Sequence, residues 1–140
     1  MKGGVEFPIL NWGASDGKPY DHFWAAGFGA ILPDRLYHIQ WSTKERYVWM
    51  EPKYSPGEPV FVQKPGGAED EGVLISLVSP FSEDLAPFIV FLDAQSMAEI
   101  TRGYLPGKFF SVIFHPRDSR IRVGSAKKEI SGLAPRFVDP

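Results

Sequence analysis

Glu58 lies in Pro56-Gly57-Glu58-Pro59-Val60-Phe61, with a proline directly after it and an apolar strand beginning at once. The proline disfavours helix at Glu58 and holds its backbone extended or in a turn. A carboxylate held against such a strand needs a partner. The N–H of an imidazole whose other nitrogen ligates a metal is a common one. The competing reading is an exposed glutamate capping a turn, which is where glutamates usually sit. Glu6, in Gly4-Val5-Glu6-Phe7-Pro8-Ile9, has the same two readings. Strand alternation would put Glu6 and Pro8 on one face, opposite Val5 and Phe7, without saying which face is interior.

The chain has three histidines. His22 in "YDHFWA" and His38 in "RLYHIQW" lie in aromatic strand settings that suit half-buried, hydrogen-bonded imidazoles, and the pattern assigns them no chemistry. His115 closes the apolar run "FFSVIFHP", where a strand terminus can point toward a central site, although pattern alone favours a structural role. No HxH, HxxxH or HExxH spacing occurs, so no complete metal site is built from local ligands. Glu69, Asp70 and Glu71 fall in a turn and read as solvated loop charge rather than paired catalytic carboxylates. There is no P-loop and no G-x-G-x-x-G.

The elements that must position these residues are strands. The runs "VEFPILNW", "HFWAAGFGAIL", "RLYHIQW", "RYVWMEP", "PVFVQ", "GVLISLVS", "PFIVFLDA", "EITRGYL" and "FFSVIFHP" are rich in β-branched and aromatic residues, and turn-forming clusters such as "GASDGKP", "LPDR", "STKE" and "KPGGAEDEG" separate them. An all-β domain of hairpins is expected, with sandwich and propeller not separable by pattern. Only "DAQSMAEITR" has the composition for a turn of helix, and it reads more naturally as a turn and a strand. From Arg117 onward the alternation is lost. Residues 117–140 read as an exposed or poorly ordered tail, or as a final edge strand around "RIRVG" followed by a loop.

Composition narrows the function. The 140 residues are 44% hydrophobic and 23% charged, with a formal charge of −2 and no cysteine. That length suits one domain or part of one. The charge gives no electrostatic footprint for nucleic acid. Without cysteine, any metal must be held by His, Asp or Glu. No apolar run approaches a membrane span and no secretory leader is evident; an intracellular protein is expected, cytoplasmic first, mitochondrial or membrane-associated as alternatives.

In order and spacing, "VEFPILNW…GKPY", "LPDRLYHIQWSTKERYVWMEP", "GEPVFVQKPGGAEDEGVLISLVS", "PFIVFLDAQSMAEI" and "IFHP" resemble the C-terminal part of the carotenoid cleavage oxygenase family. The most specific block is "EPVFV…P…EDEGVLISLV". The resemblance implies that residues 1–116 are C-terminal blades of a seven-bladed β-propeller, incomplete in this chain, with Fe(II) on the axis held by four histidines from different blades. It implies Glu58 and Glu6 as glutamates that hydrogen-bond ligating histidines, Phe7 as a lining residue of the substrate tunnel, and His115 as the last iron ligand. Pro116 stands where the family has glycine, and an alternative alignment puts Phe110 at the ligand position.

The implied activity is cleavage of a conjugated double bond of a carotenoid or apocarotenoid by O2, giving carbonyl products. A retinoid isomerohydrolase-type fragment and a non-catalytic truncated β module are the alternatives. Peripheral membrane contact would run through segments absent here. One histidine cannot hold a four-histidine ion, so the chain alone is expected to bind no iron tightly and to turn over no carotenoid.

Overall fold

The computed structural model describes residues 4–106 apart from Asp16 and Ala30. Nine strands and one short helix follow in order: β1 Gly4–Ile9, α1 Trp12–Ser15, β2 His22–Phe28, β3 Pro33–Gln40, β4 Arg46–Trp49, β5 Tyr54–Pro56, β6 Val60–Gln63, β7 Gly72–Pro80, β8 Phe88–Asp93 and β9 Glu99–Tyr104. All ladders are antiparallel. The first sheet has the order β1-β2-β3-β4, and the second β5-β7-β8-β9 with β6 also paired to β7.

Eight of these strands occupy runs that the sequence marks as β. The ninth, β5, is only three residues long and hides among the prolines of "EPKYSP". α1 occupies part of the stretch read as a turn. Asn11 caps it, with its side-chain oxygen accepting from Ala14 N at 3.3 Å, the usual satisfaction of an orphan helix N–H. "DAQSMAEITR" is indeed a turn followed by β9.

The second sheet is built by strict alternation. Leu74, Ser76, Val78 and Pro80 of β7 and Phe88, Val90 and Leu92 of β8 are buried, with less buried residues between them, as the two-residue period of a strand dictates. In the first sheet the ladder sets Trp24 opposite His38 and Ala26 opposite Leu36, then Leu36 opposite Trp49. These side chains face the second sheet. Trp24, Ala26, Leu36 and Trp49 form one core with Leu74, Val78, Phe88, Val90, Leu92, Ala94 and Met97, and the Trp24 and Phe61 rings stack with centroids 4.0 Å apart.

Among the polar contacts that pin the sheets together, two stand out. The Trp24 indole Nε1 donates to the Ala94 carbonyl at 2.8 Å, and Ser55 Oγ donates to the Pro33 carbonyl at 2.8 Å. The first lies within the core, where an unmatched carbonyl is costly. Ala94 belongs to the β8–β9 turn, whose shape is set locally. Asp93 Oδ1 accepts from Ser96 N at 2.8 Å and Ser96 Oγ at 2.7 Å, and Met97 takes φ 59° while its side chain is 3% exposed.

Trp24→Phe keeps most of the apolar surface and removes the indole donor. It is expected to destabilise the fold by about 1–3 kcal/mol in urea unfolding. Trp24→Ala, which also opens a cavity, is expected to cost about 3–5 kcal/mol.

Candidate functional site

Glu6 sits in β1, an edge strand, opposite Ala26 of β2. Immediately after it the register shifts, with Ile9 pairing Trp24, so two residues of β1 oppose one of β2 as in a β-bulge. Phe7 takes φ 54° there, an unfavourable conformation for a bulky side chain. Pro8 has no N–H to give the ladder. The simple alternation expected across Glu6–Pro8 is therefore interrupted. Phe7 is 47% exposed, its ring centroid 6.2 Å from that of Phe28.

Glu58 has a parallel setting in the second sheet. β5 pairs with the C-terminal part of β7 and β6 with its N-terminal part, so the two act as one strand broken at 57–59. The break is stitched by Gly57 N donating to the Leu77 carbonyl at 2.8 Å and Ser76 Oγ donating to the Gly57 carbonyl at 3.0 Å. Pro59 is buried and Glu58 exposed. Glu6 is exposed as well. Among the described residues neither carboxylate has a hydrogen-bond or ion-pair partner. His115, Phe110 and the 117–140 tail lie outside the described residues.

A second cluster is one that the sequence pattern left unassembled. Because His22 of β2 pairs with Gln40 and Trp24 with His38, the two imidazoles share a face as diagonal neighbours. His22 Nδ1 lies 3.0 Å from His38 Nε2, and their rings stack with centroids 5.1 Å apart. His38 is 2% exposed, sandwiched between Trp24 and Tyr47. Its Nδ1 donates to the Gln95 carbonyl at 2.8 Å. Both histidines are thus hydrogen-bonded, as their strand settings suggested, but they are bonded to each other.

The β6–β7 loop closes over this pair. Glu69 Oε1 accepts from the backbone N–H groups of Asp21 and His22 at 3.0 and 3.1 Å, and the Glu69 carbonyl accepts from Asn11 Nδ2 at 2.9 Å. Asp70 Oδ2 stands 3.7 Å from His22 Nδ1. The expectation of solvated loop charge is therefore corrected for Glu69 and Asp70. Glu69, Asp70 and Glu71 are all half-buried, and Glu71 pairs with Lys64. Tertiary folding of the loop onto β2 supplies Glu69 and Asp70 with partners that a turn by itself lacks, whereas Glu71 is held within its own hairpin.

Electrostatics follow the contacts. Burial pushes the His38 imidazole below its ordinary pKa, the neighbouring His22 acting in the same direction and the Gln95 carbonyl against it. Hydrogen bonds from Gln40 and Ser42 hold Asp21 below the usual carboxylate range. Those from Ser96 do the same for Asp93.

The family described as retinal pigment epithelial membrane protein matches residues 1–115. The chain belongs to this family, the group that the carotenoid oxygenase resemblance indicated. It is similar to the mitochondrial carotenoid-cleaving dioxygenases of Mustela putorius furo and Homo sapiens, 37% identical to each over 106 residues. These alignments cover 75% of this chain and 20% and 18% of the relatives. The chain thus spans about a fifth of the length of these curated relatives.

Among solved structures, a cobalt-substituted Synechocystis apocarotenoid oxygenase matches with TM-score 0.67 and 25% identity over 74% of this chain and 23% of that one. A Pseudomonas brassicacearum lignostilbene dioxygenase shares the fold, with TM-score 0.67 and 23% identity over 75% of this chain and 25% of that one. Among the described residues no helix is long and apolar enough to cross a membrane.

The Asp93 turn carries the carbonyl that receives His38, and its titration has a defined sign. The folded-state pKa lies below the ordinary 3.8, so the stabilisation is present above about pH 3.8 and is lost as pH falls through the folded value. Thermal melts should show Asp93→Asn well below the parent at pH 6, with the gap narrowing toward pH 3. A gap independent of pH would contradict this.

Proposed function

We propose that this chain forms C-terminal blades of a carotenoid oxygenase β-propeller and contributes outer carboxylates to an iron centre completed by other strands of the longer protein. The observation that carries this reading is the shared setting of Glu6 and Glu58. Each is an exposed carboxylate without a partner among the described residues, at the outer edge of its own sheet, beside or within a break in the ladder. A bulge or break re-aims a side chain out of the regular pleat, and such devices concentrate at functional sites.

The donor set fits the surroundings of a ferrous ion better than its inner coordination shell. Ionised glutamates can accept only, so Glu6 and Glu58 suit the outer N–H of ligating imidazoles, fixing ring orientation and raising ligand basicity. His115 would be the one inner ligand from this chain. Phe7, with its ring presented outward by the strained bulge, would line the apolar path of a polyene. The ion would supply the redox chemistry toward O2, with a carotenoid or apocarotenoid as substrate and carbonyl compounds as products. The relatives named carotenoid-cleaving dioxygenase support this substrate class, and their mitochondrial naming supports an intracellular, mitochondrial setting.

Large apolar side chains exposed on the first sheet and its connections, among them Trp12 at 66% and Trp41 at 60%, are what neighbouring blades would cover.

The test is a graft of residues 4–115 into the ferret dioxygenase in place of its matched segment, with iron content and β-carotene conversion as readouts. The graft should hold one iron and cleave substrate. Glu58→Gln and Glu6→Gln within it should each weaken iron retention or activity by about 10–100-fold. The 140-residue chain alone should do neither. A graft indifferent to both substitutions, or a 140-residue chain that retains iron and cleaves carotenoid, would overturn the reading.

A further inference from the structure

His22, His38 and Asp70 play no part in the reading above, yet they are the one group of metal-ligating side chains that converges among the described residues. We propose that they form a separate site for a zinc-class divalent cation, with His38 Nε2, His22 Nδ1 and an Asp70 carboxylate oxygen as ligands.

The three donor atoms all lie within 4.8 Å of one another. His22 Nδ1 is 3.0 Å from His38 Nε2 and 3.7 Å from Asp70 Oδ2. Ligands bound at about 2.0–2.2 Å on a tetrahedral ion stand about 3.4 Å apart, so these two separations each need a shift of only a few tenths of an ångström. The longer His38–Asp70 span closes by movement of Asp70. That residue comes from the β6–β7 loop, not from a ladder, and its side chain is 15% exposed.

Proton bookkeeping supports the assignment. The Gln95 carbonyl can only accept, so His38 Nδ1 carries the ring proton and the Nε2 lone pair of the neutral ring is aimed at the cluster. That is the tautomer a ligating histidine needs, held by the backbone-carbonyl acceptor that commonly backs one. In the metal-free pair His22 Nδ1 donates to this lone pair. When the ion takes its place, the His22 proton resides on Nε2, which lies 3.9 Å from Asp21 Oδ2. Asp21 is itself fixed by Gln40 Nε2 at 2.8 Å and by Ser42 N and Oγ at 2.7 Å each.

On the side away from the ion His38 thus has a hydrogen-bonded carbonyl acceptor, and His22 faces the Asp21 carboxylate at 3.9 Å. Two neutral imidazoles and one carboxylate are a borderline donor set suited to zinc and its neighbours, and a fourth position is left for water. The ion would join β2, β3 and the β6–β7 loop, and hence both sheets. The inference rests on these contacts alone and stands whether or not the iron reading does.

Zn2+ titration of the 140-residue chain at pH 7.5 by calorimetry, with Co2+ replacement followed by visible absorption, tests it. One equivalent of Zn2+ should bind and raise the melting temperature, and Co2+ should give the visible bands of a low-coordinate N/O site. Asp70→Ala and His22→Ala should each weaken Zn2+ binding at least tenfold and remove the Co2+ bands. Absence of binding, or binding that either folded variant leaves unchanged, overturns the proposal. Asp70 sits outside the ladders, so its variant decides the matter should His22→Ala fail to fold.

Discussion

Two consecutive carbonyls of the β8–β9 turn, those of Ala94 and Gln95, capture the ring N–H groups of Trp24 and His38 across the interface between the sheets. Much of the remaining structure depends on this junction. It fixes how the first sheet lies on the second, since each aromatic ring must bring its N–H to a defined acceptor, and burying either ring without one would be costly. The turn can offer both carbonyls because Asp93 and Ser96 hold it locally, and because Met97 accepts a left-handed backbone in exchange for burial. Packing then follows from the same residues. Trp24 stacks on Phe61 and on His38, so one ring spans β2, β3 and β6.

Interior strands and edge strands divide the labour. β2, β3, β7 and β8 are largely buried and supply most of the core, and their ladders also shift register, at Gly27/Phe28 and at Phe91/Leu92. β1 and the β5–β6 pair carry the bulge at Phe7 and the interruption at 57–59. Irregularity at an edge has a physical reason. An edge strand satisfies only one side of its ladder, so a bulge there breaks fewer hydrogen bonds than in the middle of a sheet. The proposed role of Glu6 and Glu58, serving a centre formed with other strands, would place them at such edges, which is where they stand.

The strands themselves were largely legible in the sequence, because alternation in "GVLISLVS" and "PFIVFLDA" and the Gly and Pro clusters between runs are local signals. β5 was not, since three residues between prolines carry no period. The Phe7 bulge was not either, because Pro8 permits an extended strand as readily as a kink. The family match over residues 1–115 agrees with the order and spacing of the blocks that carried the resemblance, whereas the roles of Glu6, Glu58, Phe7 and His115 are carried by that resemblance and not by pattern.

What the sequence determined by itself was eight of the nine described strands, most of the turn chemistry, the absence of thiol ligands and the family. What only the tertiary structure decided was the company each polar side chain keeps. His22 and His38 are sixteen residues apart and became neighbours through the β2–β3 register. Glu69, forty-seven residues beyond His22, and Asp70 next to it reached the pair through the folding of the β6–β7 loop. Hydrophobic periodicity is read within one strand, but a hydrogen bond between side chains depends on register, sheet packing and loop path together, and none of these is encoded at a fixed spacing.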